Sequence, residues 1–264
     1  MDNNLVAEKT APPIHMVYQP VARITQDELE VVAYESLLRV SPNRCNHTTF
    51  SIINDAEEAG TIATLDARIA RLACSDAAKL DGMNLWMNMS QVTLSYPPVA
   101  KQIADVILDN GLSGRVTVEI TETADGKVPL LLESIQLLKN QNIAVVIDDI
   151  EDGFAKSHLL RSDLIAGCKL SRNSTARLLE DPYYMEAVDR LIRWCKSIGK
   201  TVVIEGVENS FEMNIVKSLG ADFYQGFHLW KPASFIDLPA PGTRKRIITP
   251  RSQANIPPCH LASN

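Results

Sequence analysis

Eight short β-rich runs alternate with helical patterns along this chain, and that alternation constrains its fold more than any other feature. The runs are IHMVYQP from Ile14, LEVVAYESL from Leu29, NLWMNMS from Asn84, RVTVEIT from Arg115, IAVVIDD from Ile143, DLIAGCKLS from Asp163, TVVIEG from Thr201 and DFYQG from Asp222. Apolar residues spaced three and four apart predict helices over 64–80, 98–110, 128–140, 183–198 and 210–219, with Gly199 and Gly220 at two of the stops. The gap between the second and third runs has room for two helices. Alternation of this kind predicts an α/β fold, a (β/α)8 barrel of the TIM type. One connection breaks the rule. Only VARITQDE separates the first two runs, and parallel neighbours need about a dozen connecting residues. The first two strands are therefore expected as an antiparallel hairpin, which makes the barrel a modified one.

The dense apolar pattern begins near Ile14 and ends near Ile236, so one domain is expected over 14–236. Residues 1–13 and 237–264, the second rich in Pro and polar residues, read as flexible tails. The opening MDNNLVAEKTAPP is polar and carries acid, which does not fit a signal peptide. No run approaches the roughly 18 apolar residues of a membrane helix. Five scattered cysteines (Cys45, Cys74, Cys168, Cys195, Cys259) without a CxxC pair fit a reducing cytoplasm. A net charge of −6 argues against a DNA backbone as the main partner, and Arg244-Lys245-Arg246 reads as a solvated run.

The ends of the strand runs carry the chemistry. They hold Glu35, Asn88, Glu119 with Glu122 beyond it, Asp148 and Asp149, Lys169, Glu205 with Glu208 beyond it, and Gln225. In a barrel the carboxyl ends of the strands form one rim, where such folds place their active sites. Carboxylates crowded there repel one another at low dielectric, and divalent cations relieve that repulsion. Oxygen donors with one amide favour a hard ion, Mg²⁺ or Mn²⁺, over zinc. Two such ions are a standard device for phosphate-ester hydrolysis. The Lys169 ammonium could orient water or offset developing negative charge.

At these residues the chain resembles the EAL-domain family of cyclic di-GMP phosphodiesterases. The likeness runs from about Ile14 to Pro232 through YQP at Tyr18, YESLLR at Tyr34, NMS at Asn88, EITE at Glu119, IDD at Ile147, Lys169, IEGVE at Ile204 and QGF at Gln225. The resemblance implies that Glu35, Asn88, Glu119 and Asp148 hold one metal, and that Asp148, Asp149 and Glu205 serve a second. It implies Glu205 as general base, Lys169 as water-positioning residue and Glu122 as support for the loop after Asp149. Gln19, Leu37, Arg39 and Gln225 would contact the dinucleotide, and Glu208 would support the site from behind. The implied reaction converts cyclic di-GMP to linear pGpG. Input would come from a homodimer partner or a regulatory protein. Where the family loop reads like DDFGTGYSS, this chain has DDIEDGFAKS. That departure motivates an alternative function, a sensor of cyclic di-GMP or a protein-interaction module with little hydrolysis.

Overall fold

The computed structural model describes residues 14–41, 48–121, 128–150 and 157–247. β1 (Ile14–Thr25) and β2 (Glu28–Val40) form the expected antiparallel hairpin, turned by Gln26 and Asp27 and kinked by a bulge at Val21/Ala22. The strands consume most of VARITQDE, leaving two residues for the turn, where Gln26 takes a left-handed φ of 56°. The long gap that follows holds α1 (Thr49–Glu58) and α2 (Ile62–Ala77). Then come β3 (Leu85–Ser90), α3 (Gln91–Leu94), α4 (Pro97–Asp109), β4 (Val116–Thr121), α5 (Val128–Asn140) and β5 (Ala144–Ile147). The chain continues through α6 (Ser157–Leu160), β6 (Gly167–Leu170), α7 (Arg172–Glu180), α8 (Pro182–Ser197), β7 (Thr201–Ile204), α9 (Ser210–Leu219) and β8 (Phe223–Tyr224).

β2 to β8 pair side by side in parallel, and β1 closes the ring antiparallel to both β2 and β8. Seven strands thus run one way and β1 runs against them. The expected tail needs correction. Residues 244–246 form β9 (Arg244–Arg246), antiparallel to the start of β2, and Ile247 N–H still bonds to the Asp27 carbonyl. The segment from 237 to 247 is therefore part of the packed body; 248–264, like 1–13, lie outside the described residues. Among the described residues no helix is long and apolar enough to cross a membrane.

Local chemistry explains the helices. Asp181 caps α8 through the amides of Tyr183 and Tyr184, with Pro182 at the first turn. Asn209 caps α9, which ends at left-handed Gly220 as expected. α2 buries Ala67, Ala70, Ala73, Cys74 and Ala77, small side chains that let it lie close on the strands. The main core sits between helices and strands, lined by outward strand residues such as Leu85, Met87, Val118, Ile120, Val202 and Ile204.

Inside the ring a second apolar cluster forms a floor from Val21, Ala33, Trp86 and Val203, with Phe223 edge-on to Trp86 at 5.9 Å. Side chains alternate along a strand, so the next inward position lies two residues on, about 7 Å nearer the carboxyl rim. Two beyond Ala33, Trp86, Val203 and Phe223 stand Glu35, Asn88, Glu205 and Gln225. β1 runs in reverse, so its counterpart is Gln19, two residues before Val21. The same step gives Glu119 above Thr117, Asp148 above Val146 and Lys169 above Gly167. A dry floor and a polar rim thus come from one phase of one period.

Candidate active site

The Lys169 side chain stands near the middle of that rim, 1% exposed. Its Nζ lies 2.5 Å from Glu205 Oε1, 2.6 Å from Glu119 Oε2, 3.2 Å from Asp148 Oδ1 and 3.6 Å from Glu35 Oε1. These acids come from β2, β4 and the residues directly after β5 and β7, elements far apart in sequence. Glu35 is further held by Asn88 Nδ2, which donates to Oε1 at 2.8 Å, and by Gln225 Nε2, which donates to Oε2 at 2.6 Å. Gln225 Nε2 also reaches Gln19 Oε1 at 3.2 Å, and Gln19 donates to the Trp230 carbonyl.

One ammonium cannot balance four carboxylates, and its three N–H groups cannot satisfy them. Glu119 Oε1, Asp148 Oδ1 and Glu205 Oε1 are buried without a hydrogen bond, the last two despite ion-pair contact with Lys169. Protonation shows the same strain. Burial pushes Glu119 well above the usual carboxylate range, and Glu35, Asp148 and Glu205 add to it against the pull of Lys169. Glu205 rises to about 8, by burial first and against the Lys169 charge. Burial alone would raise Glu35, but Lys169 and the two amide donors overcome it and hold that carboxyl low. Burial works against the Lys169 charge, yet the four acids raise its pKa well above the ordinary value.

Asp149 follows β5 with φ 47°, a left-handed conformation uncommon for a residue with a side chain. In extended backbone, neighbours point to opposite faces. The left-handed turn instead lets Asp148, Asp149 and Glu205 place carboxylate oxygens within 4.8 Å of one another. Orphaned buried oxygens, an all-oxygen donor set and an excess of negative charge fit hard divalent cations.

Beside the carboxylates opens a cleft of about 250 Å³, and Gln19, Leu37, Glu205, Glu208 and Gln225 are among its walls. Gln225 Oε1 is buried there without a partner. Two glycines permit this wall. A Cβ on Gly206 (φ 67°) would stand 2.6 Å from Arg172 Cα, and one on Gly226 would fall 2.1 Å from the Val207 carbonyl oxygen. Arg39 does not line the cleft; its guanidinium donates to the Leu38 carbonyl at 2.8 Å. Glu208 does, paired at 2.8 Å with Arg172. Glu122 and positions 151–156, hence most of DDIEDGFAKS, lie outside the described residues.

Sequence reasoning passed over Arg172 and Asp66. Arg172 stands three residues beyond Lys169, at the first position of α7, a helix too short for a clear apolar period. Asp66 on α2 is buried and accepts hydrogen bonds from the Ser90 amide at 3.0 Å and from Thr93 Oγ1 at 2.6 Å. Nothing but its place on the buried face of a helix could have flagged it. Phe227, 53% exposed at the cleft, lay within QGF but drew no role.

PdeG of Escherichia coli K12, a probable cyclic di-GMP phosphodiesterase, is 24% identical over 231 residues, 84% of this chain and 45% of PdeG. An uncharacterized signaling protein of Caulobacter vibrioides is 28% identical over 224 residues, 82% of this chain and 27% of that protein. The chain thus spans less than half the length of these relatives. The PaMucR phosphodiesterase in complex with c-di-GMP superposes with a TM-score of 0.74 at 22% identity, covering 84% of this chain and 92% of that one. A standalone EAL protein of Vibrio cholerae O395, bound to c-di-GMP, gives 0.74 at 20% identity, over 88% and 96% of the two chains. Both likenesses concern the fold. Residues 4–232 match the EAL domain, and the chain belongs to the EAL-domain family.

Proposed function

We propose that this chain hydrolyses cyclic di-GMP to linear pGpG with Mg²⁺ or Mn²⁺ bound at the rim. The observation that carries the reading is the buried ring of four carboxylates around the single Lys169 ammonium, two of which, Glu35 and Glu205, also line the adjoining cleft. Relatives that bear the phosphodiesterase name support it. Glu35, Asn88, Glu119 and Asp148 would hold one ion, and Asp148, Asp149 and Glu205 a second. Bound divalent ions supply positive charge to the phosphate and acidity to water.

The remaining chemistry falls to the chain itself. Glu205 takes the proton from the attacking water, its carboxylate facing the cleft one-fifth exposed. Lys169 keeps its charge across the working pH range and orients that water while offsetting the negative charge that builds on the phosphate. Gln19 and Gln225 meet the dinucleotide along the wall, where Gln225 Oε1 offers an unused acceptor. Leu37 gives an apolar contact.

The test supplies cyclic di-GMP to the purified chain with Mg²⁺, Mn²⁺ or EDTA and separates products by chromatography. Linear pGpG with metal and none with EDTA is expected. No product with either metal, at enzyme levels that reveal slow turnover, overturns the reading.

A further inference from the structure

We propose that Arg172 receives the second phosphate of the cyclic dinucleotide, the one that is not being cleaved. The inference rests on the hydrolytic reading above and adds to it a residue that sets substrate class.

The cleft poses an electrostatic problem. Its walls carry Glu35, Glu205 and Glu208, and its ligand would be a dianion. One phosphate would meet whatever divalent ions the carboxylate ring holds when loaded. The other is covalently tied to it and must lie elsewhere in the same cleft, where acids alone would repel it. Among the described residues that line the cleft, Arg172 is the one cation. Arg39, which the resemblance implied as a contact of the dinucleotide, spends a donor on the Leu38 carbonyl and stays off the lining.

Geometry keeps Arg172 in place. Its Cα and Cβ pack against Gly206, the residue after Glu205, at a separation no larger residue would tolerate. Its backbone begins α7, so it stands at the positive end of that helix's dipole. Its side chain is 70% exposed, with Nη2 on Glu208 Oε1. That pairing holds the guanidinium over the cleft and still leaves donors for a bidentate grip on phosphate. An exposed Arg–Glu pair is worth little in stability, so a phosphate can displace or share it at small cost.

The test compares two substrates, cyclic di-GMP with two phosphates and bis(p-nitrophenyl) phosphate with one. Arg172→Ala should raise the KM for cyclic di-GMP about tenfold or more, leave its kcat within about twofold and leave the single-phosphate ester unaffected. Arg172→Lys, which keeps charge but not the fork, should fall between. Equal losses on both substrates, or none on either, would overturn the role of Arg172 while leaving the hydrolytic reading intact. If the unaltered chain cleaves neither substrate, that reading fails instead. Calorimetric binding of cyclic di-GMP to the unaltered and Arg172→Ala chains then decides, with equal affinity counting against Arg172.

Discussion

Glu205 shows how much one carboxyl can report. Its pKa in the folded chain stands at about 8 against an ordinary 4.5, so between those values the native state holds a proton that the unfolded chain has released. A raised acid makes stability fall as pH rises through that window. Asp66, raised to about 6 chiefly by burial, acts in the same direction over the lower part. The metal-free chain should therefore unfold at lower temperature at pH 8 than at pH 5, with an upper bound of about 4 kcal/mol from Glu205 over those three pH units. Thermal unfolding in EDTA across that range checks it; a flat or rising curve would contradict the burial described. Glu205→Gln removes the titration, so the slope should shrink, and turnover of cyclic di-GMP should be lost. Unchanged turnover in that variant would show that another group takes the proton. At this scale the identities of Glu35, Asn88, Glu119, Asp148, Lys169 and Glu205 were legible, because strand ends can be read from pattern. Their mutual geometry was not. Nothing in the letters DD states that Asp149 adopts a left-handed φ and so brings two neighbouring acids to one side.

Elements follow the same division. Long strands and helices were readable because apolar periods of two and of three to four persist over several turns. α3 and α6 span four residues each, too few for any period to declare itself. β9 hid for a different reason: Arg-Lys-Arg carries no apolar alternation, and it is a strand through backbone pairing alone. Charged residues on an edge strand deter further pairing, which suits its place at the end of the sheet order. β9 is fastened by Gly242 N–H to the Val31 carbonyl, Val31 N–H to the Thr243 carbonyl, and Tyr34 Oη to the Pro239 carbonyl at 2.6 Å. A chain ended at Leu238 loses these partners and should be less stable by roughly 2–4 kcal/mol than one ended at Ile247, as urea unfolding would show. Asp66 makes a comparable link between α2 and the end of β3, two residues past Asn88. Asp66→Ala leaves the Ser90 amide and Thr93 hydroxyl buried without an acceptor and should cost about 2–3 kcal/mol. Asp66→Asn, which keeps one acceptor, should cost less; equal stability of the Asp66→Ala and unaltered chains would mean the link contributes nothing.

For the whole molecule, barrel closure turns a local preference into a collective charge. Each strand contributes an unremarkable polar residue two positions beyond an apolar one; only closure by β1 brings them onto one rim, where four carboxylates face one ammonium. The fold therefore holds repulsion in the metal-free state, and relief of it should appear as global stability, since the unfolded chain has no such rim to bind an ion. A ligand that binds only the native state stabilises by about 2.7 kcal/mol at one hundred times its Kd. At about 2–4 °C per kcal/mol for a domain near this size, Mn²⁺ should raise the Tm by roughly 5–10 °C. Because Glu119 and Glu205 must lose protons to accept the ion, the gain should be larger at pH 8 than at pH 6, and uptake should release protons into a weakly buffered solution. Glu119→Gln takes away a completely buried carboxylate from the ring. It should raise the Tm of the metal-free chain relative to the unaltered one at pH 8, since folding no longer has to protonate a buried acid there, and should erase most of the Mn²⁺ shift. A metal-free Tm that drops in Glu119→Gln, together with an undiminished response to Mn²⁺, would place the ion elsewhere on the molecule and separate the rim's charge from the chemistry assigned to it.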